Sequence, residues 1–170
     1  MLRLRELARK DLESINKWRN NHTLIDFLGA PYRYINIEVD IKWYENYMVN
    51  RATTVRCAIV EEDDEILGLV SLTDINHMNQ SAELQIMIGD SENQGKGLGT
   101  FAVKEILSHA FNNLNLHRVE LGVLESNTRA IHLYEKCGFV REGLKREFCY
   151  KNGKFENLLV YSCLKNEFIG

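Results

Sequence analysis

The chain has 170 residues, 45% of them hydrophobic and 26% charged, with a formal net charge of -3. That length supplies one ordinary core-bearing domain, and the charge excludes the basic stripe of a nucleic-acid binder. No apolar run reaches the length of a membrane span, and Met1-Leu2-Arg3-Leu4-Arg5 alternates like a strand rather than a signal peptide, so the expected location is cytoplasmic, away from membranes.

Leu2 and Leu4 alternate with Arg3 and Arg5 as an opening strand. From Lys10 to Asn20, Leu12, Ile15 and Trp18 recur at helical spacing, and Asn21 to Asn36 reads as irregular. Asn36 suits the N-cap of a helix carrying Ile37, Ile41, Tyr44 and Met48. Strands follow at Val55 to Glu61 and Ile66 to Asn76, joined by the acidic turn Glu62-Asp63-Asp64-Glu65, and a third runs from Ser81 to Ile88. A helix then places Leu98, Ala102, Ile106, Ala110 and Leu114 on one face. Arg118 to Leu124 is a strand and Asn127 to Cys137 a helix. Phe139 to Tyr150 and Phe155 to Leu164 form a closing hairpin around Lys151-Asn152-Gly153-Lys154. The order β-α-α-β-β-β-α-β-α-β-β is an α+β fold, a mixed sheet flanked by helices. Pro31 is the only proline and no linker or repeat interrupts the chain, so residues 1–170 are expected to form a single domain.

Cys57, Cys137, Cys149 and Cys163 form no C-x-x-C pair, and the five histidines are scattered. Reduced, packed thiols and no metal site are therefore expected.

The most informative stretch is Gln94-Gly95-Lys96-Gly97-Leu98-Gly99, three alternating glycines between an apolar strand and a helix. Glycine admits φ > 0 and lets a ligand approach the main chain. The first-turn N–H groups of the following helix lack intrahelical partners and stand at the positive end of its dipole, so a diphosphate docks there without side-chain charge. The Walker spacing and the G-x-G-x-x-G dinucleotide spacing both fail, which excludes a nucleotide-dependent kinase or dehydrogenase. Lys96 either adds charge to this cradle or is a solvated loop side chain.

The loop matches Q/R-x-x-G-x-G/A, the acetyl-coenzyme A loop of the GNAT superfamily of N-acetyltransferases. Downstream, Asn127-Thr128-Arg129-Ala130-Ile131-His132-Leu133-Tyr134-Glu135-Lys136-Cys137-Gly138-Phe139 resembles the second signature of that family: Asn, Ala, Leu-Tyr, then Gly-Phe. The resemblance covers nearly the whole chain. In detail it is similar to the branch that holds ribosomal-protein N-terminal acetyltransferases and bacterial spermidine acetyltransferases. Gly68-Leu69-Val70, Ile75-Asn76-His77 and Ser81 to Ile86 are similar to the latter. The resemblance implies a GNAT-like, mostly antiparallel sheet and acetyl-CoA as co-substrate, with direct transfer to a primary amine in a ternary complex. A homodimer is compatible with it.

The cradle, Gln94, Gly95, Lys96, Gly97, Leu98, Gly99 and Thr100, is then the pyrophosphate site. Glu83 is the candidate base, directly or through a water: strand alternation puts Glu83, Gln85 and Met87 on one face, with Ala82, Leu84, Ile86 and Ile88 on the other. An alkylammonium is only about 0.1% neutral at pH 7, a deficit of about 4 kcal/mol that a base offsets. The alternative for Glu83 is an exposed strand residue or a cross-strand partner. Tyr134 is the candidate acid to the departing thiolate, its phenol staying neutral until high pH; the family uses the tyrosine of this motif so. Asn127 is a helix cap, a contact to the pantetheine arm, or both, and the resemblance adds Ala130 of the same motif to the cofactor contacts. For the oxyanion it points to backbone N–H groups near Met87 and Ile88, where the family splays two strands at a bulge.

Spermidine acetyltransferases carry several acidic residues that bind the polycation and a metal. Here the matching stretch, Asp26 to Arg33, has one acid and one arginine, and Asp74 stands largely alone. The expected acceptor is therefore a peptide or protein N-terminus or an amino sugar. The alternatives are a polyamine such as spermidine, or a non-catalytic acyl-CoA-binding regulatory domain, which would need neither Glu83 nor Tyr134.

Overall fold

The computed structural model describes residues 1–170. The opening alternation forms β1 (Arg3–Glu6), followed by α1 (Leu12–Arg19), whose predicted stripe of Leu12, Ile15 and Trp18 is buried. The stretch expected to be irregular contains a five-residue helix, α2 (His22–Asp26). Asn21 caps it, its Oδ1 accepting from the Leu24 N–H at 3.3 Å, and Leu24 and Ile25 are buried. One and a half turns are too short to display a helical period, which is why the pattern hid it.

Helix α3 (Ile37–Val49) begins at the predicted cap, with Asn36 Oδ1 accepting from the Val39 N–H at 3.2 Å. Of the expected apolar stripe, Ile41 and Tyr44 pack inward on the second hydrophobic core and its two ends do not. Ile37 and Met48 are exposed, whereas Asp40 and Tyr47 are buried. Polar partners decide the rotation: Asp40 meets Arg19 at 3.0 Å and the Asn16 amide at 2.8 Å, and the Tyr47 hydroxyl donates to Glu6 at 2.7 Å. Buried polar groups held by an ion pair and by hydrogen bonds outweigh a weak hydrophobic bias.

The rest follows the predicted order: β2 (Val55–Val60), β3 (Ile66–Asn76), β4 (Ser81–Ile88), α4 (Leu98–Ser108) running into a π-helical turn, β5 (Arg118–Leu124), α5 (Thr128–Lys136), β6 (Val140–Lys151) and β7 (Lys154–Leu164). The closing hairpin turns on Asn152 and Gly153, whose φ values of 51° and 84° suit a two-residue turn between twisted strands. All seven strands join one sheet in the order β1-β2-β3-β4-β5-β7-β6. Every neighbouring pair is antiparallel except β4 and β5.

That parallel pair is short. It holds only for Ser81↔Arg118, Ala82↔Val119 and Glu83↔Glu120. Beyond it β4 stays on β3 as far as Gly68↔Ile88, and β5 stays on β7 as far as Leu124↔Leu158. The sheet therefore splits into a V after Glu83. One face packs on α4 and α5 through Ala102, Ile106 and Phe111; the other packs on the first three helices through Leu69 and Met87.

Candidate active site

An open cleft of about 490 Å³ occupies the split, with walls from β4, β5, α5 and the chain after α2. Glu83, Gln85 and Met87 reach it from β4, and Asn127, Ala130 and Tyr134 from α5. The two candidate catalytic side chains thus border one cleft, Glu83 from β4 and Tyr134 from α5.

Glu83 is half-buried, with its carboxyl shifted upward. Removal from water is the largest cause, followed by the charge of Asp74; Glu120 adds to it, and a hydrogen bond from Gln85 opposes it. Such a carboxylate is a stronger base than an exposed one. Asp74 sits at positive φ (50°), where the β3–β4 register shifts between Thr73 and Asn76.

Tyr134 is 8% exposed, and its ring meets Phe139 edge-on at 5.7 Å. Burial pushes its phenol up to about 12, with a smaller contribution from Cys137. The group therefore keeps its proton at neutral pH, at some cost in driving force for giving it up.

The glycine loop lies beside the cleft rather than on its wall, at the N-terminus of α4. Gly95 and Gly97 both have φ of 84°, and Gly97 caps the helix with no side chain bonded to the first-turn amides. A Cβ on Gly97 would meet no atom within 4 Å, so the loop is open at that position. These features fit a pyrophosphate. Gly99 serves packing instead: a Cβ there would run into Leu133 of α5. Lys96 is exposed and reaches only Asn93 at 3.4 Å.

Asn127 is the α5 cap, Oδ1 accepting from the Ala130 N–H at 3.2 Å. Its Nδ2 also donates to the Phe27 carbonyl at 3.0 Å, a contact no local pattern reveals. The buried Lys151 holds the same loop, its Nζ donating to the carbonyls of Ile25, at 2.8 Å, and Ala30. Arg129, the second residue of α5, donates to Gln94 at 3.0 Å and lies beside Gly95. It brings a charge to the cradle; for Lys96, charge in the cradle was one of two alternatives, the other being a solvated loop side chain.

The expected strand bulge at Met87 and Ile88 is not present. The β3–β4 ladder runs unbroken from Thr73↔Glu83 to Gly68↔Ile88, and its irregularity lies between Thr73 and Asn76. Divergence from β5 alone leaves the outward amides of the β4 stretch after Glu83 without a strand partner. Met87 lines the cleft, and Ile88 packs toward the α4 side.

Sequence reasoning also missed the inner wall, where Arg19, Trp43, Arg56 and Ser71 converge from α1, α3, β2 and β3. Strand alternation places Arg56 and Ser71 on a known face, but only the packing of three helices brings Trp43 against them.

A sheet opened into a V, a glycine cradle and a tyrosine-bearing helix across the gap define an acetyl-CoA-dependent acetyltransferase. The chain belongs to the GNAT acetyltransferases: the family's acetyltransferase (GNAT) domain matches residues 1–140. It is similar to the spermidine N(1)-acetyltransferase of Vibrio cholerae, 32% identical over 169 residues, covering 99% of this chain and 95% of that one. The Escherichia coli spermidine N(1)-acetyltransferase is 35% identical over 170 residues, covering 99% and 88% respectively. The crystal structure of the Vibrio cholerae spermidine N-acetyltransferase in complex with CoA and spermine superposes with a TM-score of 0.90, covering 99% of this chain and 98% of that one. Acetyl-CoA is the co-substrate of this enzyme, and no helix is long and apolar enough to cross a membrane.

Proposed function

We propose that residues 1–170 form one catalytic domain that moves the acetyl group of acetyl-CoA directly to a primary amine, with Glu83 as base and Tyr134 as acid. The observation that carries this is that Glu83 of β4 and Tyr134 of α5 line one cleft in the split of the sheet. The amine nitrogen bonds to the acetyl carbon as the carbon–sulfur bond breaks. The proton lost by nitrogen passes to Glu83, directly or through one water, and the sulfur takes the phenolic proton of Tyr134. Proton return through solvent resets both groups. The unpaired amides of β4 past Glu83 supply hydrogen bonds to the developing oxyanion. The open first turn behind Gly97 and the Arg129 charge hold the pyrophosphate. The four free cysteines support a cytoplasmic location.

On the acceptor, the full-length relatives named for spermidine support a polyamine better than the peptide terminus or amino sugar expected from the sequence. The charge of the cleft favours a second reading. Arg33 and Arg56 line it without a matching carboxylate, Arg19 being paired with Asp40, and Glu83 is its one carboxylate, so a polycation would meet like charge at those two arginines.

Thiol release from acetyl-CoA, measured across polyamines, amino sugars and peptides, tests the reaction. Turnover of an amine by the wild type, lost in Tyr134→Phe and Glu83→Gln, is the expected result. Acetyl-CoA binding without turnover of any amine would mark a non-catalytic domain.

A further inference from the structure

We infer that the inner end of the cleft is an anion subsite, and that the amine acceptor carries a carboxylate or phosphate which Arg56, backed by Arg19, receives. This rests on the acetyl-transfer reading and specifies the class of amine it takes.

Strand register places the parts. Arg56 pairs with Ser71 and Ser71 with Gln85, so the three form one row across β2, β3 and β4 with side chains on the same face. Glu83 lies two residues from Gln85 on that face. Adjacent strands are about 4.8 Å apart and alternate residues about 6.8 Å apart, so Arg56 and Glu83 are separated by the length of a small molecule. This is the face of the first three helices, opposite the α4 side that holds the glycine cradle.

Arg56 has no counter-ion in the protein. Arg56 donates to Ser71 Oγ at 3.2 Å, while its Nε is buried with no partner. No carboxylate lies within ion-pair distance of it. The guanidinium groups of Arg56 and Arg19 lie 4.6 and 4.5 Å from the centroid of the Trp43 ring. Arg19 is matched by the fully buried Asp40 at 3.0 Å, which leaves the Arg56 charge unbalanced, and Arg33 adds another at the cleft wall. Burial, and then the charge of Arg19, pull the Arg56 guanidinium below its ordinary value, but arginine does not shed its proton in a protein. A partly desolvated charge with no counter-ion is costly, and an oxyanion entering the cleft removes that cost. The planar guanidinium, held against an indole, matches a carboxylate or a phosphate in a bidentate pair.

The test uses matched acceptors that differ in one anion: an alkyl diamine against the amino acid of equal length, and glucosamine against glucosamine 6-phosphate, with spermidine as the polycation. In at least one pair the anionic member is expected to have kcat/KM about tenfold higher or more, and Arg56→Gln to bring that ratio near one. The pair that responds distinguishes carboxylate from phosphate. Arg33→Gln, at an exposed position, is expected to lower the same ratio less and covers the case in which Arg56→Gln fails to fold. A second readout needs no turnover: inorganic phosphate or acetate should raise the melting temperature of the wild type more than that of Arg56→Gln or Arg33→Gln. Spermidine turned over faster than every anionic amine, with both ratios near one in the wild type, would overturn the subsite. So would a loss of acetyl-CoA binding in Arg56→Gln, which would assign the arginine to the co-substrate. Absence of thiol release with every amine would sink the acetyl-transfer reading; the melting shifts would still decide the anion site.

Discussion

Asn127 joins two parts of the cleft that lie a hundred residues apart in the chain: its Oδ1 caps α5 at the Ala130 amide, and its Nδ2 holds the Phe27 carbonyl at 3.0 Å. The two bonds use different ends of one amide, so two substitutions separate them. Asn127→Asp keeps an acceptor for the cap and loses the donor. It should leave stability nearly intact while speeding amide exchange over Phe27 to Ala30 and raising the acceptor KM. Asn127→Ala loses both and should cost about 1 kcal/mol of stability in denaturant titration. Equal exchange rates in the Asn127→Asp variant and the wild type would show that Lys151 alone holds the loop.

Tyr134→Phe removes one hydroxyl from a ring that is otherwise packed on Phe139. We expect kcat to fall about 10²- to 10⁴-fold, as for loss of a general acid, with acetyl-CoA affinity nearly unchanged. Stopped-flow thiol release together with calorimetric binding separates these quantities. A variant that binds acetyl-CoA and turns over at the wild-type rate would move the acid role elsewhere.

Glu83→Gln carries a double expectation. Activity should be lost most at low pH, where the amine is scarcely neutral, and partly recover as pH rises. Stability should move the other way. The Glu83 carboxyl is shifted upward in the folded protein, so over the range between its unfolded and folded values the native state binds more protons than the unfolded chain. Stability from this group therefore declines as pH rises through that range, and above it the folded protein carries an unfavourable charge. Glutamine removes that charge, so Glu83→Gln should melt higher than wild type at pH 7 and show no such gain at pH 3. Thermal scans at the two pH values check it.

Acetyl-CoA at 100 times its Kd should stabilise the protein by about 2.7 kcal/mol through mass action, well beyond equal concentrations of ATP or NAD. Gly97→Val should abolish that shift. The residue sits at φ 84°, where a β-branched side chain is strained, and it is the cap that leaves the first-turn amides of α4 without a side-chain partner. Gly99→Val should instead destabilise the protein without any ligand, because its side chain would collide with Leu133. A normal acetyl-CoA shift in folded Gly97→Val would place the pyrophosphate elsewhere.

The order of strands and long helices, the glycine cradle and the cap at Asn127 were all legible in the sequence, because each is written over neighbouring residues. Strand alternation needs only a period of two, and a helix start needs only a capping side chain before an apolar run. The same locality explains the misses. Helix α2 is shorter than the period that would reveal it, and the inward face of α3 is chosen by Arg19, Asn16 and Glu6, none of them on that helix.

What the tertiary structure alone decided is where chains distant in sequence meet. A parallel pairing of β4 and β5 that stops after Glu83↔Glu120 opens the cleft without the bulge that had been expected, and no residue in either strand marks that stopping point. The contact of Trp43 with the guanidinium groups of Arg19 and Arg56 is likewise a product of separate elements packing together. Sequence patterns report the period of an element and the chemistry of its ends. The net charge of a cleft is a sum over walls that only folding assembles, which is why the reaction could be read from two motifs and the character of the acceptor site could not.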